Sequence, residues 1–175
     1  MTLKLHRMLY ATNLSANSID AMRYAVNYAY QRNAELIVFH VINRRSIICS
    51  KMRCNFFNLD QEHKIRQKKI NTALKRMRNL IEKIRGTEFK GHPAHLNKIE
   101  NLAARCGKIA DEIVEKAKQC KCELIILGPH RNRLSERIFW PSISRKVLRG
   151  TDTPVHVIKL PKKELDITIH DPCES

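Results

Sequence analysis

The chain has 175 residues, of which 43% are hydrophobic and 29% are charged, with five glycines and six prolines. This size and composition predict one globular domain and exclude a fibrous or disordered chain. Lys and Arg outnumber Asp and Glu by 33 to 17, so the formal charge of +16 indicates either a solvated basic surface or an anionic partner.

The sequence carries no signal for the membrane or for secretion. No stretch approaches the roughly 18 apolar residues of a membrane helix, and the first apolar run is too short for a signal peptide. We therefore expect a cytoplasmic protein with no transmembrane segment. Its six cysteines are then expected to be free thiols. Cys120 and Cys122 are closer together than the usual cysteine pairs of a zinc site, and no second pair accompanies them.

The first third of the chain alternates strand and helix patterns. An apolar run over residues 5–11 predicts a strand, and the Thr, Asn and Ser residues that follow it predict a loop and a helix start. Apolar residues spaced three and four apart over 18–32 predict a helix with one buried face. The continuous β-branched run 35–42 predicts a strand inside a parallel sheet.

The middle of the chain is strongly basic. Residues 43–58 mix basic and aromatic side chains without a period and predict a long loop. Residues 59–85 predict a long amphipathic helix that ends before Gly86, with basic residues on most of its remaining faces. A third strand is expected over residues 94–99.

The last third returns to the alternating pattern. A helix is expected from Gly107 to Gln119, a buried strand over 123–128, a helix over 142–149 and a strand over 155–159. Residues 161–175 are polar and mixed, which indicates an extension or a tail held by a partner.

Alternating strands and helices of these lengths predict a doubly wound α/β fold, with helices on both faces of a parallel sheet. Such sheets bind ligands beyond the carboxyl ends of their strands, where the strand order reverses. The loops after Tyr10 and after Leu127 are therefore the ones expected to form a site.

Four segments, taken in order, resemble the universal stress protein family. They are residues 8–15 (MLYATNLS), 36–41 (LIVFHV), 124–130 (LIILGPH) and 142–149 (SISRKVLR), the last followed by Thr153-Pro154-Val155. The resemblance implies a five-stranded Rossmann-like domain over residues 1–160, followed by a C-terminal extension over 161–175. It also implies a homodimer formed through the last strand, by Val155, His156, Val157 and Ile158.

The family has an ATP-holding subtype, whose phosphate loop reads Gly, two residues, Gly, nine residues, Gly, then Ser or Thr. Glycines let backbone N–H groups approach the phosphates. Gly128 and Ser142 match the two ends of this pattern, but Arg131 and Pro141 replace the second and third glycines. Proline has no N–H to donate, so one phosphate contact is lost.

The resemblance implies further contacts, and one of them is altered as well. Asn13 replaces an acidic residue of the first loop, and an amide cannot supply the negative charge that helps hold a metal ion. Arg131 could instead bind phosphate through its guanidinium, or it could simply lie on an exposed loop. The implied nucleotide-binding positions are Ala11, Thr12, Asn13, Val41, Gly128, His130, Arg131, Ser142, Ile143 and Ser144.

Three hypotheses about function follow from these observations. The first is a non-enzymatic stress-response regulator with a degenerate phosphate loop, which requires no cofactor. The second is a protein that binds ATP or AMP at a modified site. The third is a binder of nucleic acid or anionic membrane that uses the basic helix and the preceding loop. Metal ligation by His92 and His95 is not expected, because their spacing in a strand places them on opposite faces.

Overall fold

The computed structural model describes residues 5–15, 18–45, 47, 59–87, 89, 93–128 and 140–158. In chain order the elements are β1 (Arg7–Thr12), α1 (Ser18–Gln31), β2 (Glu35–Asn43), α2 (Leu59–Thr87), a 3-10 helix (Pro93–Lys98), β3 (Ile99–Gly107), α3 (Ile109–Gln119), β4 (Leu124–Leu127), α4 (Trp140–Gly150) and β5 (Val155–Val157). Within these ranges, no helix combines the length and the apolar character needed to cross a bilayer.

The strands form one sheet in the order β3-β2-β1-β4-β5, and each neighbouring pair is parallel. This arrangement confirms the predicted doubly wound α/β fold. From β1 the chain builds one half of the sheet through β2 and β3, and then returns to the other side of β1 to add β4 and β5. The strand order therefore reverses between β1 and β4.

Helices cover both faces of the sheet and enclose two cores. Side chains alternate between the faces of a strand, so Met8 and Tyr10 enter the first core while Leu9 enters the second. The first core lies between the sheet and the helices α1 and α2, and the second lies between the sheet and the helices α3 and α4. Burial on both faces explains why β1, β2 and β4 read as continuous apolar runs.

The third strand was predicted in the wrong place. Residues 94–99 were expected to form it, but Pro93–Lys98 is a 3-10 helix and the strand is Ile99–Gly107. The 3-10 helix buries Leu96 in the first core. The strand itself lies at the edge of the sheet and is mostly half-buried, so it lacks the long apolar run of a central strand.

Several other boundaries differ from the predictions, among them that of the last strand, which is Val155–Val157 rather than 155–159. The helix α2 does not end before Gly86 but continues to Thr87, whose hydroxyl donates a 3.0 Å hydrogen bond to the carbonyl of Lys83. The helix α4 begins at Trp140 rather than at Ser142. Residues 44, 45 and 47 have helical backbone, although residues 43–58 were expected to form a loop, and the rest of that segment lies outside the described residues.

Candidate functional site

A crevice is expected at the carboxyl ends of β1 and β4. The chain segments that follow these two neighbouring strands leave the sheet toward opposite faces. The helix α1, which follows β1, covers the first core, and the helix α4, which follows β4, covers the second. Ala11 pairs with Leu127 across these two strands, and the backbone N–H of Gly128 donates to the carbonyl of Ala11 at 3.2 Å. The two loops predicted to form a site therefore leave the sheet side by side.

The loop after β1 is closed by its own hydrogen bonds. Asn13 Oδ1 accepts one hydrogen bond from the backbone N–H of Ser15 and another from the hydroxyl of Ser18, both at 3.1 Å. Thr12 Oγ1 accepts from the backbone N–H of Leu14 at 3.2 Å, and Leu14 has a left-handed φ of 55°. The side-chain oxygen of Asn13 therefore stabilises the turn that leads into α1.

Gly128 lies directly over the side chain of Tyr10. A Cβ atom at position 128 would lie 3.0 Å from Tyr10 Oη and 3.2 Å from its ring carbon Cε2. Tyr10 is fully buried, and its hydroxyl makes a long hydrogen bond of 3.5 Å to the carbonyl of Ser18. Burial raises the pKa of Tyr10, so this group stays a neutral phenol. A side chain at position 128 would therefore crowd the buried ring of Tyr10, which favours glycine there.

The strand β2 reaches further than β1 at the same end of the sheet. Its pairing with β1 ends where Thr12 meets His40, whereas its pairing with β3 continues through Val41 to Asn43. The side chain of Val41 is buried in the second core. The main chain of Val41 therefore lies one residue past the end of β1.

The phosphate loop is described only at its two ends. Gly128 is the last described residue before the loop. Residues 129–139, which include His130 and Arg131, lie outside the described residues. At the other end, Pro141 lies in the first turn of α4, where a missing N–H does not interrupt the helix. Ser142 is exposed, Ser144 is half-buried, and Ile143 packs against the second core.

The last strand lies at the edge of the sheet, as its expected role in a dimer requires. The N–H of Ile158 donates to the carbonyl of Leu127, and the carbonyl of Pro154 accepts from Ile125. Because backbone groups alternate along a strand, Val155 and Val157 direct their N–H and C=O groups away from β4. Val157 is 40% exposed. The ring of His156 packs edge-on against Tyr24 and Tyr28 of α1.

His40 is a polar residue of this region that the sequence analysis did not select. Its Nδ1 atom lies 2.8 Å from the carbonyl oxygen of Thr12, so it donates to that oxygen. Burial lowers the pKa of His40, and the positive charge of Arg76 lowers it further, against the opposing effect of the bond to Thr12. The only hint in the sequence is a histidine inside the apolar run of β2.

The described residues hold no cluster of His, Cys, Asp or Glu that could bind a metal ion. His95 lies in the 3-10 helix rather than in the strand assumed for it, and its ring stacks on Tyr30 and Phe89. Cys106, Cys120 and Cys122 are free thiols, and burial raises the pKa of Cys122 to about 12. His92 lies outside the described residues.

Comparison with known proteins gives a consistent result. The family model described as the universal stress protein family matches residues 4–159. Universal stress protein MJ0531 of Methanocaldococcus jannaschii is 26% identical over 158 residues, which cover 90% of this chain and 84% of that protein. The solved structure of MJ0577 from the same organism is 20% identical and covers 92% of this chain and 100% of its own, with a TM-score of 0.63.

A second similar structure contains a nucleotide. It is a universal stress protein in complex with cAMP, which is 17% identical and covers 90% of this chain and 99% of its own. Its TM-score of 0.52 supports the same fold.

Proposed function

Since this chain belongs to the universal stress protein family, we propose that it is a stress-response regulator that acts as a homodimer, catalyses no reaction and binds ATP and AMP only weakly. The observation that carries this proposal is the uncharged side chain of Asn13, whose Oδ1 accepts hydrogen bonds from Ser15 and Ser18. In ATP-holding relatives an acidic residue occupies this position. Here a neutral amide oxygen serves the start of α1 and brings no charge to the crevice.

The altered phosphate loop supports the same proposal. Arg131 and Pro141 replace two of the three glycines whose N–H groups would surround the phosphates. Pro141 cannot donate a hydrogen bond at all, and its place in the first turn of α4 gives it a different role, that of starting a helix. Fewer N–H donors face the phosphates, and no carboxylate at position 13 helps hold a metal ion. Both changes weaken nucleotide binding.

The one glycine that remains is not evidence for a phosphate site. Tyr10 lies close beneath Gly128, so a side chain there would crowd the phenol ring whether or not a nucleotide binds. The close approach to Tyr10 gives a packing reason for this glycine that involves no phosphate. Weak nucleotide binding is consistent with every described residue of the crevice.

The homodimer is proposed to form by pairing of β5 with the same strand of a second copy. The outward backbone groups of Val155 and Val157 are available for such pairing, because the even-numbered residues bond to β4. An unpaired edge of this kind is otherwise prone to unspecific association. We place this dimer in the cytoplasm, in accordance with the free thiols of Cys106, Cys120 and Cys122 among the described residues.

A second candidate function is adenine-nucleotide binding at a modified site. It is favoured by the main chain of Val41, which lies past the end of β1, and by the cAMP complex of the similar protein. In this case Arg131 would contact the phosphate in place of the missing glycine N–H groups.

The proposal is tested by rebuilding the family's loop. We expect the triple variant Asn13→Asp, Arg131→Gly, Pro141→Gly to bind ATP with magnesium at least about tenfold more tightly than the original chain, because donors and charge are restored together. The single variant Asn13→Asp is the control for folding and for the charge alone. An unchanged affinity in the triple variant would show that the altered positions do not set nucleotide binding, and the proposal would fail.

A further inference from the structure

A second concave surface lies on the other side of the sheet from Val41. It is a cleft of about 380 Å³ between α2 and the carboxyl end of β2, which we call the α2 cleft. Its apolar floor includes Leu14, Ile42 and Ile65, and its basic side includes Lys68, Lys69 and Arg76. A cleft of this size can hold a small molecule.

The basic residues of the cleft interrupt the buried face of α2. Along the second half of this helix, Ala73, Met77, Ile81 and Ile84 form a stripe that is buried against the sheet or its neighbours. Continuing the stripe by one turn toward the helix start leads to Lys69, which lines the cleft. The same helix face therefore changes from apolar to basic where it passes the end of the sheet.

The cleft has a positive potential that no acidic lining residue offsets. None of its described lining residues is Asp or Glu. Two ion pairs of α2, between Arg66 and Glu62 and between Arg85 and Glu82, involve no residue that lines the cleft. The field of Arg76 reaches the half-buried ring of His40, whose pKa it lowers. Positive charge beside a low-dielectric floor attracts anions more strongly than charge on an open surface does.

We propose that the α2 cleft binds a small phosphate ester, with its phosphate at Lys68, Lys69 and Arg76 and its apolar body on Leu14, Ile42 and Ile65. The lysine ammonium groups and the arginine guanidinium can each donate hydrogen bonds to the phosphate oxygens. The apolar floor provides contact area for a short organic group. The shape fits a small molecule better than a nucleic acid. The described lining carries no Phe, Tyr or Trp on which bases could stack.

The cleft is joined to the loop after β1 by two residues. His40 lines the cleft and donates to the carbonyl of Thr12, and Leu14 lines it with a left-handed backbone. A ligand that packs on Leu14 and beside His40 therefore stabilises the same turn that Asn13 holds. Occupation of the cleft is expected to change the loop at the crevice as well.

The test uses phenyl phosphate, a phosphate ester with a small apolar body. Its binding is followed by titration calorimetry and by changes in the backbone amide NMR signals of the full chain. We expect millimolar binding that shifts the signals of residues 13–15 and weakens with added salt. The double variant Lys68→Gln, Arg76→Gln should weaken it by about tenfold or more, because two charged contacts are lost.

The matched control is Arg78→Gln, Lys83→Gln, which removes the same charge from exposed positions of α2 outside the cleft. Equal weakening in both double variants, or no binding to the original chain, would overturn the proposal. Binding of an oligonucleotide through Lys68 and Arg76, without binding of phenyl phosphate, would also overturn it. ATP binding is measured in the same variants. If the variant Lys68→Gln, Arg76→Gln loses ATP binding and Arg131→Ala keeps it, the ATP is bound in the cleft. This comparison distinguishes the present inference from the proposed function, which concerns the crevice.

Discussion

Asn13 Oδ1 lies 3.1 Å from the hydroxyl oxygen of Ser18, and this hydrogen bond connects the end of β1 to the first residue of α1. Ser18 is almost fully buried, at 2% exposure. The same oxygen accepts from the N–H of Ser15, so one side chain bonds to both Ser15 and Ser18. A residue that aligns with a ligand contact of the family thus has a structural task in this chain.

The first prediction concerns this turn. Asn13→Ala removes both hydrogen bonds and should lower the free energy of unfolding by about 1–2 kcal/mol. Asn13→Asp keeps both and places a negative charge near the start of α1, so its stability should equal or exceed that of the original chain. Urea denaturation measures both. An aspartate variant less stable than the alanine variant would contradict the role given to Asn13.

The second prediction concerns the close approach of Gly128 to Tyr10. Gly128→Ala should lower the free energy of unfolding by about 1–3 kcal/mol, because its Cβ would lie 3.0 Å from the phenol oxygen. The loss should be smaller in a Tyr10→Phe background, where that oxygen is absent. A double-mutant cycle by urea denaturation measures the difference. The same cost in both backgrounds would mean that Tyr10 is not the reason for the glycine.

The third prediction concerns the pH dependence of stability. The pKa of His40 is lower in the folded chain than the ordinary value of 6.5, so the unfolded chain binds the proton more readily. Stability from this group is complete above pH 6.5 and is lost as the pH falls below it, until the folded pKa is reached. His40→Gln should reduce the loss of stability between pH 7.5 and 5.5.

The control for this measurement is His63→Gln, since His63 is exposed on α2. Thermal or urea unfolding at several pH values gives the slope for each variant. If the two variants show the same pH dependence, the buried environment of His40 does not contribute to it.

The fourth prediction concerns the dimer. Val157→Pro removes an N–H group that points away from β4, so it should leave the fold intact and weaken a dimer that pairs through β5. Val157→Thr keeps the N–H and should not change the dimer. Sedimentation equilibrium measures both. Dimers of equal strength in the two variants would place the interface elsewhere on the molecule.

The sequence predicted most of the fold because β1, β2 and β4 are buried on both faces and therefore read as clear apolar runs. It failed at β3, where an edge strand of small and polar residues lacks this signal, and the strand was placed instead at residues 94–99, which are largely the 3-10 helix. The alternation of strands and helices predicted a parallel sheet with helices on both faces, and the structure agrees with it.

The candidate site was less accessible from the sequence. Asn13, Val41 and Gly128 were selected through the family resemblance, but the hydrogen bonds of Asn13 and the packing of Tyr10 against Gly128 are contacts that spacing does not reveal. The hydrogen bond of His40 is made to Thr12, which lies 28 residues earlier in the chain. The α2 cleft depends on how a helix crosses the end of a strand, and the sequence showed only a basic helix.

The most direct test of the account is titration calorimetry of ATP and AMP, each with magnesium, against the original chain and the variant Arg131→Ala. The account predicts no submillimolar binding of either nucleotide at the crevice and no effect of the substitution. Submillimolar binding that Arg131→Ala weakens would contradict it, and would instead assign this chain to the nucleotide-binding members of its family.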